Sequence, residues 1–138
     1  MTHPEEWTYH IPEGMTTMEG ALVEPAAVGM HAAVLGGAQP GKSIVILGGG
    51  TIGLMVLQAC ISLGATDITV VDVIEKRLEL AKKLGAARVI NGKEEDTVAV
   101  LRSEEMYGDH GVDLVFEAAG AVFTAQQAVQ IVSGAVKS

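Results

Sequence analysis

The chain holds a single cysteine, Cys60, and that scarcity excludes two chemistries: an internal disulfide and a zinc site built from several cysteines. Basic residues are also scarce, with nine Lys and Arg against seventeen Asp and Glu, giving a formal charge of −8 and a pI near 4.8. No basic patch is available for nucleic acid or an acidic membrane surface, so neither is expected as a partner. Long apolar runs are missing too. The region from Ile44 to Leu63 is interrupted by three consecutive glycines and does not read as a membrane span. No signal-peptide pattern opens the sequence, and a cytoplasmic location is the expectation. What remains is the composition of one soluble globular domain of 138 residues, 49% apolar and 19% charged.

Cys60 itself sits inside an apolar helical pattern with no basic neighbour, which predicts a buried, unreactive thiol. The acidic clusters at Glu94, Glu95 and Asp96 and at Glu104 and Glu105 read as solvated helix faces.

Among the features that are present, the most informative is the stretch from Ser43 to Cys60. Gly48, Gly50 and Gly53 stand in G-x-G-x-x-G register between a buried-strand pattern and a helix pattern. Asp72 ends the next apolar run nineteen residues past the last of these glycines, the spacing of a ribose-binding carboxylate. In such a turn the first glycine lets the chain leave the strand sharply, the second leaves room for a pyrophosphate, and the third lets the helix pack on the sheet. The helix starting at Thr51 and Ile52 would point free N–H groups and its positive dipole end at the phosphates, so no lysine is required. Asp72 would accept hydrogen bonds from the adenosine ribose, favouring NAD and repelling the 2′-phosphate of NADP. A glycine-rich turn that only packs would not need the strand, helix, second strand and terminal acid to agree, as they do here.

Around this motif the chain divides into an aperiodic lead-in, residues 1–17, and a domain spanning 18–138. Pro25 splits the Met18 to Leu35 stretch into two expected short helices. Strands are then expected at Ile44–Leu47, Ile68–Val71, Arg88–Ile90 and Val112–Glu117. Helices fall at Ile52–Leu63, Glu75–Leu84, from the acids after Gly92 to Met106, and along the stripe Ala125, Ala128, Val129 and Val132. This alternation predicts an α/β fold, a doubly wound parallel sheet of the Rossmann dinucleotide-binding kind. Six strands are usual for that fold, so the chain reads as truncated after about four and incomplete at its C-terminus. Ser133 to Ser138 is too short and polar to supply another strand; the fourth is therefore expected to leave an unsatisfied edge, and the chain to form a homo-oligomer through that edge or through the surface that would meet a catalytic domain.

From about Glu19 to Ser133 the sequence closely resembles the cofactor domain of the zinc-containing medium-chain alcohol and polyol dehydrogenases, especially the sorbitol and butanediol dehydrogenase branch. Beyond the glycine motif, the resemblance is carried by the run from Ala21 to Ala32, by Leu84-Gly-Ala86, and by Val112-Asp-Leu-Val-Phe-Glu-Ala-Ala-Gly120. It implies that Thr51 and Ile52 meet the pyrophosphate through their backbone, with Ile52 also behind the nicotinamide. It further implies that Val28 faces that ring, Arg77 flanks the adenosine ribose, and Ala118 and Ala119 line the cofactor. Glu24 matches a carboxylate near the catalytic zinc, either a ligand or a partner of the bound water. The family's other zinc-binding residues belong to a separate catalytic domain that this sequence lacks, and one carboxylate cannot hold the metal. His31, seven residues on, is separated from Glu24 by the helix break at Pro25 and is not expected to complete a site.

The resemblance thus implies the NAD-binding part of a zinc-dependent oxidoreductase that transfers a hydride from a secondary alcohol or polyol to NAD. No catalytic residue is assigned within this chain, and the chain alone is expected to be inactive and zinc-free. The competing reading is a non-catalytic NAD-sensing regulatory module. Such a module would usually begin at the first strand, which the helices around Glu24-Pro25 argue against. A methyl-donor-binding fold is a third possibility, with a less regular glycine loop.

Overall fold

The structure is a computed structural model and describes residues 8–10, 25–103, 105–108, 111–120 and 122–132. Its elements run β1 (Thr8–His10), α1 (Pro25–Gly36), β2 (Ser43–Leu47), α2 (Thr51–Ser62), β3 (Asp67–Asp72), α3 (Glu75–Lys83), β4 (Arg88–Asn91), α4 (Thr97–Leu101), β5 (Leu114–Glu117) and α5 (Val122–Ile131). The strands form one parallel sheet in the order β1-β5-β2-β3-β4.

The continuous apolar strands are explained by what covers them. Ile44, Ile46, Ile68, Val70, Leu114 and Phe116 belong to a core shared with Ala33 of α1, Leu57 and Cys60 of α2, and Leu78 and Ala81 of α3. Their alternates Val45, Leu47, Val71 and Val115 pack in a second core with Leu101 of α4 and Ala128 and Ile131 of α5. Every second residue thus feeds one of two layers, and neither face of the sheet can afford a polar stripe. Burying each Ile, Leu or Phe is worth about 1.5–3 kcal/mol, so the centre of the sheet is its most strongly held part. No helix among the described residues is long and apolar enough to cross a membrane.

Polar ties fasten the N-terminal ends of the strands. Asp113 accepts hydrogen bonds from the backbone and hydroxyl of Ser43 at 3.0 and 3.1 Å, joining the starts of β2 and β5. At the neighbouring pair, Arg88 donates to Asp67 (2.9 Å), Thr69 (2.8 Å) and Tyr107 (2.8 Å), while the Tyr107 hydroxyl donates to Asp67 at 2.7 Å. Arg102 reaches the end of α5, donating to the carbonyls of Gln130 and Val132.

Three expectations are corrected. The edge of β5 is paired: Thr8, Tyr9 and His10 run alongside Val115, Phe116 and Glu117. A three-residue strand is too short to show a period, which hides it in a lead-in read as aperiodic. One of the two surfaces expected to mediate self-association, an open β5 edge, is thereby removed. The helix expected directly after Gly92 begins only at Thr97, because turns occupy Gly92 to Glu94 and Asp96 serves as its N-cap, its side chain accepting from Ala99 N at 3.2 Å. Val112 lies outside β5 and makes an isolated bridge to Val132. Of the two short helices expected around Glu24-Pro25, α1 begins at Pro25 and the earlier one falls outside the described residues.

Candidate dinucleotide-binding site

β2 lies between β3 and β5, and after β4 the chain crosses back over β2 to form β5. The C-terminal ends of β2, β3 and β5 therefore diverge at a topological switch point, where open α/β sheets form a crevice. A cleft of about 540 Å³ opens there, within the size range of small-molecule and cofactor sites. Gly48, Gly50, Thr51, Ile52, Asp72, Arg77, Ala118 and Ala119 line it together.

The turn from β2 into α2 shows why these residues are glycines. Gly48 has φ +116°, and a β-carbon there would stand 2.9 Å from the Ala119 nitrogen. A β-carbon on Gly53 would run into the Gly48 carbonyl. Gly50 differs from both: a β-carbon there meets only Arg77 Nη1 at 3.7 Å. A side chain at Gly50 would therefore enter the cleft without colliding with the protein, so that of the three glycines this one is required by the space it leaves and not by packing. Gly50 also forms the N-cap of α2 with no side-chain capping bond, leaving the helix's N-terminal N–H groups without a side-chain acceptor at the cleft.

Asp72 closes the other side of this turn. Its side chain is 6% exposed, and Oδ2 accepts from Gly49 N at 2.7 Å and from Arg77 Nη1 at 3.4 Å. Oδ1 accepts from the backbone N–H groups of Val73 (2.6 Å) and Ile74 (3.0 Å). The carboxylate is thus oriented by backbone donors from both β-to-α turns, with Arg77 matching its charge. That arrangement presents a fixed acceptor at the cleft wall.

Two other predicted residues lie apart from the lining. Gly53 is buried in α2 beneath the turn, and half-buried Val28 on α1 packs against the first core. Glu24 falls outside the described residues. His31 is exposed, and no group of three or more His, Cys, Asp or Glu able to hold a metal occurs among the described residues. Cys60 is fully buried, and burial pushes its thiol up to about 12, as its apolar setting predicts.

Sequence reasoning missed the far half of the cleft, where Val73, Gly92, Thr97, Phe123, Thr124 and Gln127 are among the lining residues. Thr97 is 1% exposed and its hydroxyl has no hydrogen-bond partner. Nothing in the sequence marks these positions, because they meet only when α5 folds over the switch point. Glu117 was also missed. It is 1% exposed, and its Oε2 accepts from Ala119 N (3.0 Å), Gly120 N (2.8 Å) and the Thr124 hydroxyl (2.6 Å).

A doubly wound parallel sheet with a glycine turn, an uncapped helix start and a buried acid at its switch point defines a dinucleotide-binding domain. The family described as zinc-binding dehydrogenase matches residues 51–135, and the chain belongs to it. The chain is 60% identical over 132 residues to the uncharacterized zinc-type alcohol dehydrogenase-like protein YdjJ of Escherichia coli (strain K12), covering 96% of this chain and 38% of that protein. It is 39% identical over 125 residues to the sorbitol dehydrogenase of Bacillus subtilis (strain 168), covering 91% of this chain and 35% of that one. A solved structure from Sinorhizobium meliloti 1021, bound to NADP, superposes with a TM-score of 0.77 at 31% identity, covering 85% of this chain and 34% of that one. The chain thus spans little more than a third of the length of these relatives.

Proposed function

We propose that this chain is the NAD(H)-binding part of a cytoplasmic, zinc-dependent oxidoreductase that transfers a hydride from a secondary alcohol or polyol to NAD. The observation that carries this reading is the Asp72 carboxylate, fixed by Gly49 N at 2.7 Å beside the uncapped start of α2. A dinucleotide laid across the turn would place its pyrophosphate over Gly48 to Gly53, against the N–H groups of Thr51 and Ile52. Its adenosine ribose would meet Asp72. The residues fit this ligand, since Gly50 keeps open the space a side chain would otherwise fill.

Bound NAD would supply the hydride acceptor, while the chain's own residues hold and orient it. Asp72 favours NAD because its negative charge, kept near the ribose by four hydrogen bonds, opposes a 2′-phosphate. Arg77 could recruit such a phosphate, but its guanidinium is already paired with Asp72. Zinc has no ligand set among the described residues. The relative named sorbitol dehydrogenase supports a polyol as the substrate class of the whole protein.

Calorimetric titration of the chain with NAD and NADP tests the proposal. Tighter binding of NAD is expected; NADP binding as tight or tighter would overturn the role given to Asp72.

A further inference from the structure

Glu117 is a charged residue at the end of an apolar strand, 1% exposed, and it does not itself line the cleft. Burying a carboxylate is costly unless its oxygens are well satisfied. Here one oxygen gathers donors from Ala119 N, Gly120 N and the Thr124 hydroxyl. These belong to the turn after β5 and to the first coil of α5.

Besides these bonds, the Ala118 N–H donates to the Leu47 carbonyl at 2.9 Å, tying the start of the turn to β2. Ala118, Ala119 and Gly120 carry no side-chain donors or acceptors, and Gly120 takes a positive φ of +72°. Yet Ala118, Ala119 and Thr124 form one wall of the cleft. The wall also abuts the glycine turn, because the Ala119 nitrogen lies 2.9 Å from where a Gly48 β-carbon would stand. The two turns flanking the switch point therefore touch, and beyond Ala118 one of them is held by a single buried carboxylate.

We propose that Glu117 is a positioning residue for the dinucleotide, clamping the Ala118–Gly120 turn and Thr124 as the β5-side wall of the cleft. The proposal rests on the reading of the cleft as a dinucleotide site. Asp72 and Arg77 stand on the β3 side, with β2 between them and this wall. A ligand confined to the β3 side needs only the Asp72 wall, whereas one that continues across the glycine turn to β5 needs both. Glu117 thereby governs the reach of the site beyond its adenosine half.

The test is calorimetric titration of the chain with NAD and with 5′-AMP, alongside thermal unfolding, for the wild type, Glu117→Gln, Glu117→Asp and Thr124→Val. Glu117→Gln keeps an oxygen within reach of its donors and is expected to bind NAD within about threefold of wild type. Glu117→Asp keeps the charge but withdraws the oxygen by one methylene; it is expected to lose about tenfold in NAD affinity with AMP changed by no more than about twofold. Thr124→Val should move the NAD-to-AMP ratio in the same direction. A folded Glu117→Asp that binds NAD like the wild type overturns the proposal, as does a parallel loss of NAD and AMP. If Glu117→Asp does not fold, Thr124→Val decides, and an unchanged ratio overturns it. A wild type that binds neither ligand would instead overturn the dinucleotide reading, a result distinct from wild-type binding that the variants leave unaltered.

Discussion

The Asp72 carboxylate lies 2.7 Å from the backbone nitrogen of Gly49, so the acid ending β3 and the turn leaving β2 form one hydrogen-bonded unit. Asp72→Ser should therefore act twice, removing the acceptor for the ribose and freeing the turn. A loss of about 1–3 kcal/mol in NAD binding is expected, with NADP weakened less, so that their affinities converge. Titration with both cofactors reads this directly. An undiminished gap between them would place selectivity elsewhere.

Two glycines of the motif should separate stability from binding. Gly53→Ala forces a β-carbon against the Gly48 carbonyl and is expected to cost about 1–3 kcal/mol of folding stability. Gly50→Ala meets only Arg77 at 3.7 Å and should unfold like the wild type while binding NAD much more weakly. Urea unfolding paired with titration distinguishes them, and similar losses of stability in both variants would contradict the geometry.

Alkaline pH should weaken the fold in two stages. Burial raises the Cys60 thiol from 9.0 to about 12; burial, then the hydrogen bond to Asp67, raises Tyr107 from 10.0 to about 12. In each case the unfolded chain loses its proton first, so stability falls as pH rises from the unfolded value toward 12. Cys60→Ala should flatten the urea midpoint between about pH 9 and 10, and Tyr107→Phe should make the fall above about pH 10 shallower, the Cys60 thiol supplying the rest. Midpoints that stay level up to pH 11 in the wild type would refute this. At neutral pH the native thiol should also resist a disulfide reagent that modifies it fully in denaturant.

The chain alone should carry no stoichiometric zinc and turn over no polyol with NAD. No sufficient ligand set occurs among its described residues, and a catalytic zinc site takes about three protein ligands. Metal analysis and an assay of NAD reduction check both expectations. One tightly bound zinc per chain would direct attention to Glu24 and the residues around it.

Much of this architecture was legible because local pattern and global role coincide. The runs at Ile44–Leu47 and Ile68–Val71 are apolar throughout because both faces of the sheet are covered, and Asp72 could be found by counting from Gly53. The site was less legible where it depends on residues meeting across the fold. Glu117 shows in sequence only as the end of a strand, since its donors lie in the turn and helix that follow it. Thr8–His10 gave no signal because its strand character comes from the neighbour it pairs with. The acids Glu94 to Asp96 suggested a helix start but marked its cap at Asp96.

The covered edge of β5 also supplies a test of assembly state. Removing residues 1–10 would expose the backbone of Val115 to Glu117 beside apolar side chains, a surface prone to pairing with another chain. Light scattering across a dilution series should then show concentration-dependent association beyond that of the intact chain. Identical masses for the two species would mean that β1 does not shield that edge.

The Ser43–Asp113 tie has a consequence for how the molecule acquires its shape, because it joins residues 70 apart in the chain. β2, β3 and β4 can pair in sequence through the crossover helices α2 and α3, but β5 must return across nearly the whole sheet before its centre is complete. β1, from the opposite end of the chain, can dock only after that. Loop closure of this kind precedes the contacts that reward it, so folding should be slow for a domain of this size, with the cleft among the last parts to form. The turn that would grip a dinucleotide is then also the place where the folding chain finally closes on itself.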